Sequence, residues 1–173
     1  MNQLPAYSVQ TAHSWNTINW SPETLPSLQT VRTFTGSLPL KSNPRVKGKQ
    51  LPFRFLFEGK NEHMKILAAA LVGKDASKNV FRIDLNTLVS KYIGETEKNL
   101  QSLLQSVSSI DILLLFDEAD ALFGKKHADQ ETATDDLLKI SEVFPGTIIF
   151  SCNSKSNMDN AFIRRMQAIV LFP

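Results

Sequence analysis

The sequence predicts an α/β fold in which helices cover both faces of a parallel β-sheet. From residue 53 onward, short apolar runs alternate with segments whose apolar residues recur at helical spacing. The length of 173 residues suits one compact domain with an additional segment. We therefore expect residues 51–173 to form the domain, and residues 1–50 to form an N-terminal tail, a short helix and a basic linker.

Five segments have the composition of strands, because they are short, apolar and rich in β-branched or aromatic residues. They are residues 53–57, 80–85, 112–116, 147–150 and 168–172. Helical spacing predicts helices over 64–71, over 100–107 and around 133–144. This order implies a five-stranded parallel sheet with its chemistry at the carboxyl ends of the strands.

The first 50 residues contain three further signals. Trp15 and Trp20 stand in a polar tail, which we expect to dock onto the domain through its two indoles. Ser21 and Pro22 predict the start of a short helix, as N-cap and first helical residue. The linker is basic and has no interleaved aromatic residues, which favours a solvated segment over a nucleic-acid site. The cations of this region are Lys41, Arg45, Lys47 and Lys49 in the linker, together with Arg54 in the strand that follows it.

Composition excludes several classes of protein. No apolar run approaches the roughly 20 residues that a membrane span requires, and the N-terminus lacks the pattern of a signal peptide. Cys152 is the only cysteine, which excludes an internal disulfide and a cysteine-based zinc site. A lone cysteine fits a reducing compartment, and we expect the cytosol.

Asp117 and Glu118 follow the buried strand 112–116 at the edge where chemistry is expected. Asp117 can hold Mg²⁺ through its waters, and Glu118 can orient and deprotonate the water that attacks a terminal phosphate. A charged strand end without catalytic function is the alternative. The pair alone does not decide between them.

The segment Ser90-Lys91-Tyr92-Ile93-Gly94-Glu95-Thr96-Glu97 stands after the second strand and before a helix. It resembles the first pore loop of AAA+ ATPases, in which the aromatic residue projects into the channel of a ring and grips a substrate chain. The resemblance implies that Lys91, Tyr92, Ile93 and Gly94 form this loop. It also implies the three-layer sandwich of P-loop NTPases, with ATP and Mg²⁺ as cofactors.

Two later positions match the same family. Asn153 stands at a strand end, where the resemblance implies a sensor that contacts the attacking water or the terminal phosphate. Arg164 and Arg165 stand where AAA+ proteins carry arginine fingers, which reach the nucleotide of a neighbouring subunit. An asparagine cap and a cationic helix end are the structural alternatives for these residues.

The phosphate loop is where the chain departs from the family pattern. Its place is taken by Gly59-Lys60-Asn61-Glu62-His63-Met64-Lys65-Ile66. The pattern GxxxxGK[ST] needs a glycine before the lysine and a hydroxyl after it, and Met64 and Ile66 supply neither. Lys65 still offers a cation, but Glu62 brings a carboxylate close to the phosphates. We expect nucleotide binding to be weak or lost. The chain also ends at Pro173, directly after the last core strand, so we expect no helical lid.

Two functions remain open at this stage. One is an ATPase that assembles into a homo- or hetero-oligomeric ring and remodels a protein substrate through Tyr92. The other is a catalytically inactive AAA+ scaffold or regulatory subunit, which explains Met64 and Ile66. Within AAA+ proteins the resemblance is strongest to ATPases encoded beside bacterial contractile injection systems, whose machinery would then be the partner. The letters Asp117-Glu118-Ala119-Asp120 also match a DEAD-box helicase signature, but the chain has no room for the second helicase domain.

Overall fold

The computed structural model describes residues 6–37, 53–85, 111–120, 138–139, 141–142 and 144–173. The strands in this part of the chain are β1 (Ala6–Val9), β2 (Phe53–Glu58), β3 (Asn79–Asp84), β4 (Ile112–Asp117), β5 (Thr147–Cys152) and β6 (Ala168–Leu171). The α-helices that lie wholly within the described ranges are α1 (Thr24–Ser37), α2 (Glu62–Asp75) and α3 (Asn160–Ile163). The predicted helix 100–107 and the basic residues 41–49 lie outside the described residues.

The strands form one sheet in the order β1-β3-β4-β5-β2-β6. The five predicted strands are confirmed, and every pairing among them is parallel. The predicted count of five was one too low, because β1 adds an antiparallel edge strand beside β3. Residues 6–9 pair on one side and expose their two central side chains. They therefore lack the apolar pattern that identifies a buried strand.

Alternation along the strands sends side chains into two cores, one on each face of the sheet. On the first face, α1 and α2 pack through Leu28, Val31, Ala68 and Val72 onto residues such as Phe57. On the opposite face the core contains Leu85, Leu138, Phe144, Phe150 and Phe162. The sheet is therefore the middle of three layers, as the sequence predicts.

The N-terminal segment is fixed on the outside of α1 and α2. Trp15 and Trp20 pack against each other at 5.4 Å between ring centroids, and both contact the core under these helices. The indole Nε1 of Trp15 donates to Asp75 at 2.7 Å, and the guanidinium of Arg32 lies 4.4 Å from the Trp15 ring centroid. Arg32 also pairs with Asp75 at 2.6 Å. The two indoles thus hold the segment as expected.

The predicted helix start at Ser21 appears as a capping turn. The Ser21 hydroxyl accepts from the amide of Glu23, and the Ser21 carbonyl accepts from the amide of Thr24. The α-helix itself begins at Thr24 and buries Leu28 and Val31. No helix in the described part of the chain is long and apolar enough to cross a membrane.

Candidate functional site

A cavity of about 100 Å³ lies at the carboxyl ends of β2, β4 and β5. The ends of parallel strands and the start of the following helix meet here, which is where ligand sites form in open α/β sheets. Its lining is mostly charged, and consists of Lys60, Glu62, Lys65, Asp117, Glu118, Asp120, Cys152 and Asn153. The two carboxylates of the β4 end, Asn153 and three residues of the phosphate-loop segment thus come together. Their functional roles remain predictions.

Asp117 is the most buried carboxylate of this cavity, with a side chain 3% exposed. Its Oδ1 accepts from the amide of Glu118 at 3.0 Å. Its Oδ2 accepts from Nε of Arg82 at 2.9 Å and lies 2.5 Å from Nη2 of the same guanidinium. Both oxygens of Asp117 are therefore engaged within the chain.

Arg82 reaches Asp117 because of its place in β3. Alternation puts it on the same sheet face as Val80, under α2, and Leu113, Leu115 and Asp117 share that face of the neighbouring strand. The guanidinium also donates through Nη2 to Glu62 in the first turn of α2. Burial lowers the pKa of Arg82, but the charges and hydrogen bonds of Asp117 and Glu62 outweigh it, and the net pKa is raised. Arg82 is thus a cation held between two carboxylates.

The chain turns sharply after Asp117. Glu118 has φ +57°, a left-handed conformation that costs a non-glycine residue roughly 1–2 kcal/mol. The turn lets the amide of Ala119 donate to the Ser151 carbonyl at 2.8 Å and brings Asp120 to the amide of Asn153, which donates to Oδ2 at 3.3 Å. These bonds join the ends of β4 and β5.

The phosphate-loop segment is short and internally bonded. Only Gly59, Lys60 and Asn61 separate β2 from α2, and Asn61 is the N-cap of that helix. Its side-chain oxygen accepts from the amide of Met64 at 3.2 Å, and its carbonyl accepts from the amide of Lys65 at 3.2 Å. The helix therefore begins two residues before the position where the motif requires glycine. The amides of Gly59, Glu62, Met64 and Lys65 are thus already bonded within the chain.

Several side chains of this segment are also engaged within the chain. Met64 and Ile66 pack against the core under α1 and α2. Lys65 is buried, and its Nζ donates to the Cys152 carbonyl at 2.9 Å. Gly59 lies against the backbone of Phe172, and the side chain of His63 is exposed to solvent. Of the eight residues predicted to bind nucleotide, Lys60, Glu62 and Lys65 line the cavity.

These residues do not fit a magnesium nucleotide. Binding one requires free amides in a glycine-rich loop, a lysine available to the phosphates, a hydroxyl ligand and a carboxylate open to the metal. Here the amides are capped, Lys65 bonds a carbonyl, Ile66 has no hydroxyl, and Asp117 holds Arg82. Within the described ranges, no group of three or more His, Cys, Asp or Glu could hold a metal ion.

The family of the chain is decided by comparison with known proteins. Residues 55–173 match the model of the ATPase family associated with various cellular activities (AAA). The chain belongs to the AAA family. This match begins in β2 and runs through every later element of the sheet.

Three AAA-family relatives illustrate the likeness. The chain is 28% identical over 135 residues to the uncharacterized AAA family ATPase y4kL of Sinorhizobium fredii, covering 74% of this chain and 41% of that protein. It is 26% identical over 119 residues to cell division protein C of Sulfolobus acidocaldarius, covering 60% and 32%. It is 26% identical over 148 residues to vacuolar protein sorting-associated protein 4A of Homo sapiens, covering 79% and 34%. The chain thus spans less than half the length of these relatives.

Solved structures agree on the fold. The crystal structure of the FIGL-1 AAA domain superposes with a TM-score of 0.71 at 18% identity, over 97% of this chain and 58% of that one. The same domain in complex with ADP gives a TM-score of 0.68 at 18% identity, with the same coverage. At this identity the likeness establishes the shared AAA fold. The finer resemblance to ATPases of contractile injection systems stays a prediction.

The two arginines predicted as arginine fingers lie away from the cavity. Arg164 and Arg165 follow α3 and are exposed, and neither lines the cavity. Arg165 donates to Glu142 of its own chain at 3.3 Å, whereas Arg164 forms no side-chain bond with the described residues. Among the described residues, Arg165 thus has a partner in its own chain and Arg164 has none. The pore-loop residues Lys91, Tyr92, Ile93 and Gly94 lie outside the described residues.

Sequence reasoning missed Arg82, Asp120 and Cys152 as members of the site. Asp120 stands two residues after Glu118 in the same motif, and no role is predicted for it from the sequence. Cys152 contributes its backbone carbonyl, and because every residue has one, the residue type gives no signal for this role. Arg82 gives one signal in the sequence, because a charged residue between two apolar residues of a predicted strand needs a partner of opposite charge wherever it is buried.

Cys152 provides a probe of this cavity. Burial, followed by the charges of Asp120 and Glu58, raises the pKa of its thiol from 9.0 to about 12. The reactive species is the thiolate, so we expect the native protein to resist thiol reagents at pH 8 and to react once unfolded in urea.

The raised pKa of the Cys152 thiol in the folded state also means that its ionisation favours the unfolded state, so stability should fall as the pH rises from about 9 to about 12. Rapid labelling of native protein, independent of urea, would contradict this expectation, and Cys152→Ala is the blank.

Proposed function

We propose that this chain is an AAA-family module that does not turn over ATP and acts as a scaffold or regulatory subunit in an oligomeric ring. The observation that carries the proposal is the cap at Asn61, which starts α2 at Glu62 and uses the amides of Met64 and Lys65. A phosphate group could use the amides of Met64 and Lys65 only if the first turn of α2 unwound. That would also remove Met64 and Ile66 from the core.

The charge of the cavity supports the same proposal. Four carboxylates line it, from Glu62, Asp117, Glu118 and Asp120, and the cations among its lining residues are Lys60 and Lys65. A triphosphate would bring further negative charge into a partly buried site, where like charges repel more strongly than in water. The cavity of about 100 Å³ is also well below the volume of typical ligand pockets.

An active ATPase is the second candidate, and one observation favours it. Asp117, Glu118 and Asn153 all line the cavity at the ends of adjacent strands, where a hydrolytic site would need them. AAA proteins act as rings on protein substrates. In this reading Tyr92 would grip a substrate chain and Arg164 would reach the neighbouring nucleotide. The machinery of a contractile injection system would be one possible setting for either function.

Titration with fluorescent ADP and ATP, with and without Mg²⁺, tests the proposal. We expect no binding tighter than a Kd of about 1 mM, equivalent to roughly −4 kcal/mol, because the amides and Lys65 are already bonded. For the same reason the Tm should not change when Mg²⁺ and ATP are added.

Lys65→Met is the matched variant for this titration. Methionine fills the buried space of Lys65 without its charge, so under the proposal both proteins should behave alike toward nucleotide. Micromolar binding by the wild type that Lys65→Met abolishes would instead show that nucleotide binds through Lys65, as the active-ATPase reading requires. Turnover in the same preparation would then measure hydrolysis directly.

A further inference from the structure

We infer that Arg82 is a built-in counter-ion that fills the divalent-cation position beside Asp117, so that this AAA module does not bind Mg²⁺ or Mn²⁺ on its own. The inference deepens the proposed function, but it concerns the cation alone and can be tested without nucleotide. It assigns Arg82 a role in the specificity of the site.

The geometry of one nitrogen atom carries the inference. Nη2 of Arg82 lies 2.5 Å from Oδ2 of Asp117 and also contacts Oε1 of Glu62. A single positively charged atom thus stands at the point shared by two carboxylate oxygens from two different elements. Mg²⁺ is commonly held in proteins by one or two carboxylates together with several waters. The guanidinium therefore occupies the position that such an ion would need.

Two further carboxylate oxygens at the cavity also accept hydrogen bonds within the chain. Oδ1 of Asp117 accepts from the Glu118 amide, and Oδ2 of Asp120 accepts from the Asn153 amide. Lys60 and Lys65 place two more cations along the same lining. A divalent ion would have to displace Arg82 from Asp117, whose side chain is nearly inaccessible to water. The fixed cation thus excludes the diffusible one by charge and by space.

The same contacts connect three elements. Arg82 lies in β3, Asp117 ends β4, and Glu62 begins α2. A metal ion that bridged these carboxylates would tie the helix to the sheet only when bound. A guanidinium ties them without any ligand, so the contact of α2 with the ends of β3 and β4 does not depend on one.

Mn²⁺ binding measured by the loss of the free-ion electron paramagnetic resonance signal tests the inference in the full chain without nucleotide. The wild type should bind no Mn²⁺ at this site. Arg82→Ser and Arg82→Gln should each bind Mn²⁺ at least roughly tenfold more tightly than the weakest binding that the measurement can detect, because two carboxylates lose their cation. Their Tm should then rise on adding Mn²⁺, as it should with Mg²⁺.

Two controls separate the site from a general charge effect. Arg82→Lys keeps a positive charge at the position and should remain insensitive to Mn²⁺. Arg32→Ser removes the partner of Asp75, a comparable pair outside the cavity, and should also gain no binding.

Stoichiometric Mn²⁺ binding by the wild type would overturn the inference, and this measurement needs no variant to fold. Folded Arg82→Ser and Arg82→Gln that stay insensitive to Mn²⁺ would overturn it as well. The outcome is distinct from that of the proposed function. A wild type that hydrolyses ATP but does not bind Mn²⁺ alone would reject the proposed function and leave Arg82 as the counter-ion. A wild type that binds Mn²⁺ alone but does not hydrolyse ATP would reject the role of Arg82 and leave the proposed function.

Discussion

Substitution of Gly59 by alanine is expected to abolish stable folding. Gly59 has φ +144°, a backbone region that is essentially restricted to glycine. A Cβ at this position would also collide with the carbonyl oxygen of Phe172, which belongs to the backbone and cannot rotate away. The two effects together should cost roughly 4 kcal/mol or more, a large part of the stability of an ordinary domain.

The collision follows from how closely two strands pass at this point. The amide of Gly59 donates to the Cys152 carbonyl at 3.1 Å, and the amide of Phe172 donates to the Glu58 carbonyl at 2.7 Å. Gly59 is therefore enclosed between the end of β5 and the residue after β6. In this chain the glycine maintains strand packing.

Thermal unfolding followed by circular dichroism measures the effect of Gly59→Ala. We expect the Tm to fall by about 10 °C or more, or no cooperative transition at all. Gly36→Ala is the matched control, because Gly36 lies in α1 and an added Cβ meets nothing within 4 Å. That variant should gain about 0.5–1 kcal/mol from the higher helix propensity of alanine. Equal stability of both variants would show that the backbone at Gly59 is not constrained as described.

Most of the fold could be predicted from sequence because burial leaves a local trace. Ile112–Asp117 and Thr147–Cys152 are buried at every position, and such strands read as continuous apolar runs. Residues 6–9 could not be found in this way, since an edge strand pairs on one side and its stability comes from the β3 backbone. Strand pairing between distant segments is not written in local composition.

Some residues of the candidate site could also be predicted from the sequence, whereas the conformation of the phosphate-loop segment could not. Asp117, Glu118 and Asn153 could be predicted because strand ends in an α/β sheet meet at one edge. The motif also identified the lysine at position 65, but it did not indicate that α2 would start early. Asn61 followed by Glu62 is a helix-start signal, and it competes with the loop that a phosphate requires. The local capping preference prevailed over the motif.

The pairing of Arg82 with Asp117 should be the strongest ion-pair coupling among the described residues. Arg82→Gln leaves Asp117 buried without its cation, which should lower the free energy of unfolding by about 2–4 kcal/mol. This is less than the full cost of breaking a buried pair, because the Arg82 side chain is partly exposed to water. Asp117→Asn should cost a similar amount. The double variant Arg82→Gln/Asp117→Asn should recover most of the loss, because two neutral amides can bond each other. Urea unfolding of the four proteins gives the coupling energy.

The pair formed by Arg32 and Asp75 supplies the comparison that isolates burial. Its closest contact is 2.6 Å, nearly the same as the 2.5 Å between Arg82 and Asp117, but Asp75 is 35% exposed whereas Asp117 is 3% exposed. An exposed pair is screened by water, so the cycle of Arg32→Gln and Asp75→Asn should give a coupling below about 1 kcal/mol. If the two cycles gave equal couplings, burial of Asp117 would not be what makes it depend on Arg82. A larger coupling at Arg82 means that this carboxylate is stabilised by a cation of its own chain, and a site built in that way needs no metal to stay folded.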